Sequence, residues 1–261
     1  LTEERLWRLA RQMASLSHQG INREHPLLSA RLPDGSRVQI VAPPATRGPI
    51  AIAIRKHVMW DLSLAHYEQD GAFAPATLSS ASAERRLDDL DTEPAHYLRE
   101  AVRQRKNILV SGGTSTGKTT FLNSLAREIP AAERLILIED TPELILRHEN
   151  AVGLVAVKSE LGEARVSADD LLQASLRMRP DRIILGELRG SEAYTFLRAV
   201  NTGHPGSMTT IHANSPEGAF EQLALIVQAN SNLSRGDILD YVRFVVDLSV
   251  QLERVDGRRI I

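Results

Sequence analysis

The first sixty residues show two hydrophobic periods, one helical and one typical of strands. Apolar residues recur at every third or fourth position through residues 6–16, so they share one face of a helix. Thr2 stands where this helix needs an N-cap, and Gly20 stands where it needs a stop. Three shorter apolar runs predict strands. They lie at residues 27–32, 37–41 and 50–54.

The turn between the first two strands completes the prediction for this region. Pro33-Asp34-Gly35 is typical of a hairpin. A helix followed by short strands therefore predicts a small α+β domain over residues 1–60. Because the chain opens on Leu1, we expect this domain to be truncated at its start.

The middle of the chain changes in composition. Residues 66–83 are rich in alanine, serine, glycine and proline and have little periodicity, which predicts a linker. We place this linker at residues 61–90. A charged helical stretch follows at 93–105, with Thr92 as its cap and Pro94 in its first turn.

Strand-like and helix-like runs alternate through residues 91–261. Predicted strands lie at 107–111, 135–139, 151–157, 182–186 and 208–211, the third of them at an edge or in a hairpin. Predicted helices lie at 118–128, 171–178, 192–201, 216–228 and 236–246. Asp256-Gly257 predicts a last hairpin. Strands that alternate with helices imply a mostly parallel sheet, so the predicted fold class is α/β.

Composition and charge narrow the class of protein. The 261 residues are 43% hydrophobic and 25% charged, which is typical of a globular chain with its own core. Lys and Arg number 31 against 33 Asp and Glu, and proteins bound mainly to nucleic-acid phosphates carry a basic excess. We therefore expect no specific nucleic-acid binding. The lack of cysteine excludes disulfides and thiolate metal sites. We see no signal peptide, and no apolar run approaches the length of a membrane helix.

A phosphate-binding loop follows the predicted strand at 107–111. The segment matches G-x-x-x-x-G-K-[ST], in which glycines let backbone N–H groups converge on one anion at a helix N-terminus. Lys118 adds a full charge for the β- and γ-phosphates of ATP, and the Thr119 hydroxyl can ligate Mg²⁺. The residues predicted to bind ATP here are Gly112, Gly113, Thr114, Ser115, Thr116, Gly117, Lys118, Thr119 and Thr120.

Acidic residues follow two of the predicted strands. Glu187 comes directly after the strand 182–186, and a carboxylate at the carboxyl end of a central strand faces the ligand crevice. We predict that Glu187 polarises the attacking water and reaches Mg²⁺, in part through water. Gly186 stands where many P-loop proteins carry aspartate. Glu139 and Asp140 form a second acidic pair at the end of strand 135–139, and Glu139 is a further catalytic candidate.

One histidine lies at a third strand end. His212 follows the strand 208–211 and could sense the γ-phosphate through a hydrogen bond, although a lone histidine is more often structural. Arginines are numerous, and one supplied to the γ-phosphate from another domain or subunit would accelerate hydrolysis. The residues alone do not say which arginine does so.

Four blocks together resemble the traffic ATPases of the secretion superfamily, closest to the type IV secretion branch. They are the phosphate loop at 112–119, an acidic box at 137–143, a Walker B block from 176–181 to 186–190, and a histidine box from 201–206 to 210–214.

The resemblance implies a RecA-like P-loop NTPase domain at 91–261 beside the smaller N-terminal domain. It implies that Glu187 is the catalytic glutamate and makes a catalytic role for His212 more credible. Residues 32–40 and 54–56 look like strands of the family's N-domain, which would make Arg37 and Arg55 phosphate ligands in the cleft between the domains.

The resemblance also implies how the protein works. Members form homohexamers that hydrolyse ATP with Mg²⁺ and drive substrate translocation or pilus assembly by type IV secretion. We would therefore expect a cytoplasmic protein at the inner membrane, with peripheral membrane contact and other secretion-system components as partners. Two alternatives stay open: a nucleic-acid-stimulated motor, and a nucleotide-gated scaffold with little turnover.

Overall fold

The computed structural model describes residues 2–56, 61–74, 76, 93–145, 147–157 and 165–261. The chain divides into two compact units. The first comprises Leu1–Met59 with Asp140–Pro142 and Val155–Ser167, and the second comprises the remainder.

The first unit is built from one helix and a three-stranded antiparallel sheet. Helix α1 (Glu3–Leu16) precedes strands β1 (Leu27–Arg31), β2 (Arg37–Val41) and β3 (Ala51–Arg55), which pair in the order β1-β2-β3. The apolar face of α1 and the inward residues of β1 and β2 form one small core, as the two periods predict.

The end of α1 differs from the prediction. The helix stops at Leu16, and His18 adopts a left-handed conformation at φ 53° while the Gln19 N–H bonds back to the Ala14 carbonyl. The left-handed residue that ends the helix is therefore His18, two positions before the expected Gly20. Thr2 occupies the N-cap position but makes no side-chain cap hydrogen bond.

The second unit contains a seven-stranded sheet with helices. Its helices are α2 (Leu64–Gln69), α3 (Pro94–Arg103), α4 (Lys118–Ala126), α5 (Ala168–Ser175), α6 (Glu192–Asn201), α7 (Pro216–Gln228) and α8 (Arg235–Val245). Its strands are β4 (Ile108–Gly112), β5 (Leu135–Glu139), β6 (Ala151–Val155), β7 (Arg182–Leu185), β8 (Met208–His212), β9 (Leu248–Val255) and β10 (Arg258–Ile260).

The strand order is β10-β9-β4-β8-β7-β5-β6. The pairs β4–β8, β4–β9, β5–β7 and β7–β8 are parallel, whereas β9 and β10 form the predicted terminal hairpin. Strand β6 lies at an edge, as predicted. Parallel strands all end at the same edge of a sheet, so this order brings together the segments that follow β4, β5, β7 and β8.

The described part of the expected linker contains a packed helix. Helix α2 places Leu64 and Tyr67 in the main core of the second unit, and Phe73 follows them there. Its apolar positions are too few to show a period among the alanines and polar residues, which explains why the sequence pattern missed it. Residues 77–92, with the rest of the predicted linker and the Thr92 cap, lie outside the described residues. Helix α3 begins at Pro94 and ends at Arg103, slightly inside the predicted bounds, and its N-cap position is taken by Glu93 rather than by the predicted Thr92.

A buried ion pair ties the start of β7 to the turn before β5. Arg182 is fully buried, and its Nε and Nη2 donate to the two carboxylate oxygens of Glu133 at 2.7 and 2.8 Å. Its Nη1 donates to the Val102 carbonyl at 2.6 Å. These bonds hold the pKa of Glu133 below its usual 4.5.

Substituting Glu133 should destabilise the fold. Glu133→Gln leaves the buried Arg182 charge without its counter-ion, so we expect a loss of about 3 kcal/mol in the free energy of unfolding, measured by urea denaturation. The surface variant Glu100→Gln removes the exposed pair with Arg103 and should cost less than about 0.5 kcal/mol. Because the pKa of Glu133 is lowered, its contribution is full above pH 4.5 and declines as the pH falls further. Equal unfolding midpoints for both variants at pH 7 would contradict this reading.

Candidate functional site

The loop after β4 has the backbone conformation that a phosphate cradle needs. Gly117 caps α4 at φ 96°, a region that L-residues rarely adopt. A Cβ at Gly112 would lie 2.6 Å from the Leu252 carbonyl oxygen, so only glycine fits beside β9. Ser115 has φ 63°, and the Thr116 hydroxyl donates to the Gly113 carbonyl at 3.0 Å. The loop is therefore a tight turn at the positive end of helix α4.

Lys118 lies folded against this loop. Its Nζ donates to the carbonyl oxygens of Gly112 and Gly113, both at 2.9 Å, and lies 3.1 Å from Nδ1 of His212. The residue is 8% exposed, and burial lowers the pKa of its ammonium group, opposed by the negative charge of Glu187. The Lys118 ammonium group is thus held at the loop by neutral hydrogen-bond acceptors. A charged phosphate would be a stronger acceptor for it.

His212 links Lys118 to the predicted catalytic carboxylate. Its Nε2 lies 3.0 Å from Oε1 of Glu187, and the other carboxylate oxygen of Glu187 accepts from Arg189. Burial lowers the pKa of His212 below its usual 6.5, against the opposing charge of Glu187, which favours the neutral ring at pH 7. An ammonium group can only donate, so Nδ1 must accept and Nε2 carries the hydrogen that Glu187 accepts. The four side chains form one polar chain in the order Lys118, His212, Glu187, Arg189.

Glu139 lies at the neighbouring strand end with a different set of contacts. It is 7% exposed, and its Oε1 accepts the backbone N–H groups of Glu143 and Leu144, both at 2.8 Å. Its carboxylate therefore caps the turn after β5. A Cβ at Gly186 would lie 3.3 Å from the Glu139 Cγ. Glycine at position 186 thus leaves room for Glu139, and the catalytic role of Glu139 stays a prediction.

The chemistry of the donors fits a magnesium ion that is shared with phosphates. Thr119 and Thr120 lie half-buried in the first turn of α4, and the Glu187 carboxylate is partly accessible. Among the described residues, no group of three histidine or carboxylate side chains could bind a metal ion alone. Mg²⁺ commonly takes one or two protein oxygens and completes its shell with phosphates and water, so a hydroxyl and a carboxylate suffice.

An open groove of about 590 Å³ adjoins the loop on the β8 side. Its walls are the loop itself, the end of β8 and the first turn of α7. The groove is lined by Gly113, Thr114, His212, Asn214, Ser215 and Gln222, among others. The groove therefore offers several hydrogen-bonding side chains beside His212.

The two N-domain candidates are neighbours in the first unit. Arg37 on β2 is the direct cross-strand partner of Arg55 on β3, and Arg31 on β1 pairs with Arg37 from the other side. Three arginines thus form a row across the sheet. The register places the two predicted phosphate ligands side by side, and their role stays a prediction.

Two arginines, one in the row across the first sheet and one in the polar chain, were not identified as site residues from the sequence. Arg31 follows from the register of the hairpin at Pro33-Asp34-Gly35, because equal steps from the turn reach Arg31 and Arg37. Arg189 was one arginine among many, and only its contact with Glu187 distinguishes it.

Comparison with known proteins shows the family of this chain. The family model described as "Type II/IV secretion system protein" matches residues 3–246. The type IV secretion system protein VirB11 of Bartonella henselae is 39% identical over 278 residues, covering 99% of this chain and 78% of that protein. The type IV secretion system protein PtlH homolog of Bordetella bronchiseptica is 40% identical over 270 residues, covering 99% and 79%.

A solved structure shows the same fold. The VirB11 ATPase from the Brucella suis type IV secretion system, in complex with sulphate, is 39% identical with a TM-score of 0.60. The match covers 99% of this chain and 82% of that one. The RecA-like P-loop fold with a smaller N-terminal α+β part is therefore confirmed. The chain belongs to the type II/IV secretion system protein family, and within it to the branch of the VirB11 ATPases of type IV secretion.

Proposed function

We propose that the chain hydrolyses ATP to ADP and phosphate, as the energy-converting subunit of a type IV secretion system. The observation that carries this proposal is the polar chain from Lys118 through His212 to Glu187 beside a phosphate-binding loop. A loop that only bound nucleotide would not need a carboxylate aligned through a neutral histidine.

Binding would begin with an exchange of partners at Lys118. The γ-phosphate offers the ammonium group a charged acceptor in place of the two loop carbonyls and His212 Nδ1. His212 could then donate its Nε2 hydrogen to a phosphate oxygen instead of to Glu187, so its hold on Glu187 would change. Binding of ATP would in this way change the hydrogen bonding of Glu187 through the His212 ring.

Hydrolysis would follow with Glu187 as the general base. A water oxygen forms a bond to the γ-phosphorus, the bond from that phosphorus to the β–γ bridging oxygen breaks, and Glu187 accepts the proton of the water. Lys118 and the loop N–H groups stabilise the charge on the phosphate oxygens. Mg²⁺, bound through Thr119 and water-mediated contact with Glu187, would supply further charge neutralisation. Arg37 and Arg55 are proposed as additional phosphate ligands.

The assembly is proposed from the resemblance. We expect a homohexamer on the cytoplasmic face of the inner membrane, in contact with other secretion-system components. Among the described helices, none has the length and apolar character to cross a bilayer.

Steady-state ATPase assays test the proposal directly. The purified chain should release phosphate from ATP with Mg²⁺, and its native mass should be six times 28.8 kDa. Added DNA or RNA should leave the rate unchanged. Stimulation by nucleic acid would favour the nucleic-acid motor, and absence of turnover at saturating ATP would favour the scaffold.

His212 provides a test of the coupling. His212→Ala should lower kcat by about 10-fold while the affinity for ADP changes less than about threefold, because ADP lacks the phosphate that His212 senses. His148→Ala is the matched histidine control, because the His148 ring contacts the Ile129 carbonyl in wild type. This variant should keep the wild-type kcat. Loss of ADP affinity in the His212 variant would assign it a structural role in the loop instead.

A further inference from the structure

The terminal hairpin lies on one side of the phosphate loop, and the polar chain lies on the other. Strand β4, which leads into the loop, has β8 and then β7 on one side, and β9 and then β10 on the other. His212 ends β8 and Glu187 follows β7, so under the proposed function the γ-phosphate would face those strands. A linear triphosphate with this orientation must direct its nucleoside end toward β9 and β10.

Arg259 on β10 reaches back to the loop from that side. A Cβ at Gly117 would lie 2.9 Å from its Nε and 3.3 Å from its Cζ. The guanidinium group therefore packs against the residue that immediately precedes Lys118. No motif in the sequence marks this arginine, because it stands 141 positions after Lys118 on the last strand.

The hairpin contacts helix α2 and the turn that follows it. The Ile261 N–H donates to the Ala72 carbonyl at 2.9 Å. Tyr67 is buried beside the hairpin and packs edge-on against Phe121 of α4, with ring centroids 5.2 Å apart. Burial raises the pKa of Tyr67 to about 12, opposed by the nearby charge of Arg259. Packing thus limits the positions that the Arg259 side chain can take.

A second arginine stands opposite the first. Arg254 on β9 is the direct cross-strand partner of Arg259, so both project from the same face of the hairpin. That face also carries Leu252, two residues before Arg254, whose Cβ would lie 3.3 Å from a Cβ at Gly112. Two like charges in register beside the loop are unfavourable alone, and a bound phosphate would relieve their repulsion.

We propose that Arg259, assisted by Arg254, binds the phosphate nearest the nucleoside of the nucleotide in the loop. The proposal rests on the proposed function, because it needs a nucleotide whose γ-phosphate faces Glu187. It adds a cationic contact from the C-terminal hairpin to the loop, and it makes the hairpin part of the nucleotide-binding site.

Equilibrium binding of fluorescent ADP to the full chain tests this contact. Arg259→Ala and Arg259→Gln should each weaken ADP binding by about 10-fold, whereas Arg259→Lys should stay within about threefold because it keeps the charge. The affinity should also become less dependent on salt in the first two variants. Arg254→Ala should show a smaller loss of about threefold. Arg258→Ala removes the same charge from the same strand on its other face and should bind ADP as wild type does.

The pattern of outcomes separates this proposal from its rivals. If Arg259→Gln binds ADP as wild type does, or if Arg259→Lys is as weak as Arg259→Ala, no charged contact exists and the proposal fails. A structural role of Arg259 would lower the melting temperature of all three variants without a distinction by charge. If wild type binds no ADP or ATP, the proposed function fails first.

Discussion

Replacing Glu187 by glutamine should leave ATP bound but lower kcat by about 10²- to 10³-fold. The amide keeps the size of the side chain, and its single oxygen can still accept from either His212 or Arg189, but it cannot accept the proton of the attacking water. Steady-state phosphate release and binding of an ATP analogue, measured on the same preparation, would show kcat lost and affinity kept within about threefold.

Glu217 supplies the control for this substitution. It is exposed in the first turn of α7, and Glu217→Gln removes the same charge without touching the polar chain. Its kcat should match wild type. A Glu187→Gln variant that hydrolyses ATP at the wild-type rate would refute the assignment of the base. A wild-type chain that binds ATP without turnover would instead favour the scaffold.

Replacing Lys118 by alanine should weaken nucleotide binding by at least about 100-fold and abolish turnover. The loop would lose the one full charge that it can bring to the β- and γ-phosphates. Titration with fluorescent ATP and ADP would measure this, together with phosphate release at the highest nucleotide concentration attainable.

Stability distinguishes a lost contact from a damaged fold. The Lys118 ammonium is buried among two carbonyls and a neutral ring, so its removal leaves no buried counter-ion unpaired. We therefore expect the unfolding midpoint to stay the same or to rise. Lys106 lies just before β4 and pairs with Asp247. Lys106→Ala is therefore the matched control, and this variant should bind nucleotide as wild type does. Wild-type affinity in Lys118→Ala would contradict the phosphate-binding role of the loop.

The two substitutions test the residues on either side of His212 in the polar chain. Lys118→Ala should fail at binding, whereas Glu187→Gln should fail after binding. His212 lies between them, and its loss should affect kcat more than ADP affinity. This order of effects is what the geometry predicts, because each residue is one hydrogen bond further from the phosphate-binding backbone.

Much of the fold was predictable because it depends on local patterns. The strand before the phosphate loop, the helix after it and the alternation that implies a parallel sheet were all expected, since period and turn chemistry act over a few residues. The strand ends bearing Glu187 and His212 were predicted for the same reason. Helix α2 was missed, because its burial comes from neighbours far along the chain.

The sequence by itself determined that a phosphate loop, two strand-end carboxylates and a strand-end histidine exist in one α/β chain. Only the tertiary structure decided which of them meet. His212 lies 94 residues from Lys118, and the strand order that joins them is set by sheet packing rather than by local spacing. The same packing turned Glu139 toward a turn and brought Arg259 to the loop, because long-range contacts depend on the three-dimensional arrangement of the strands.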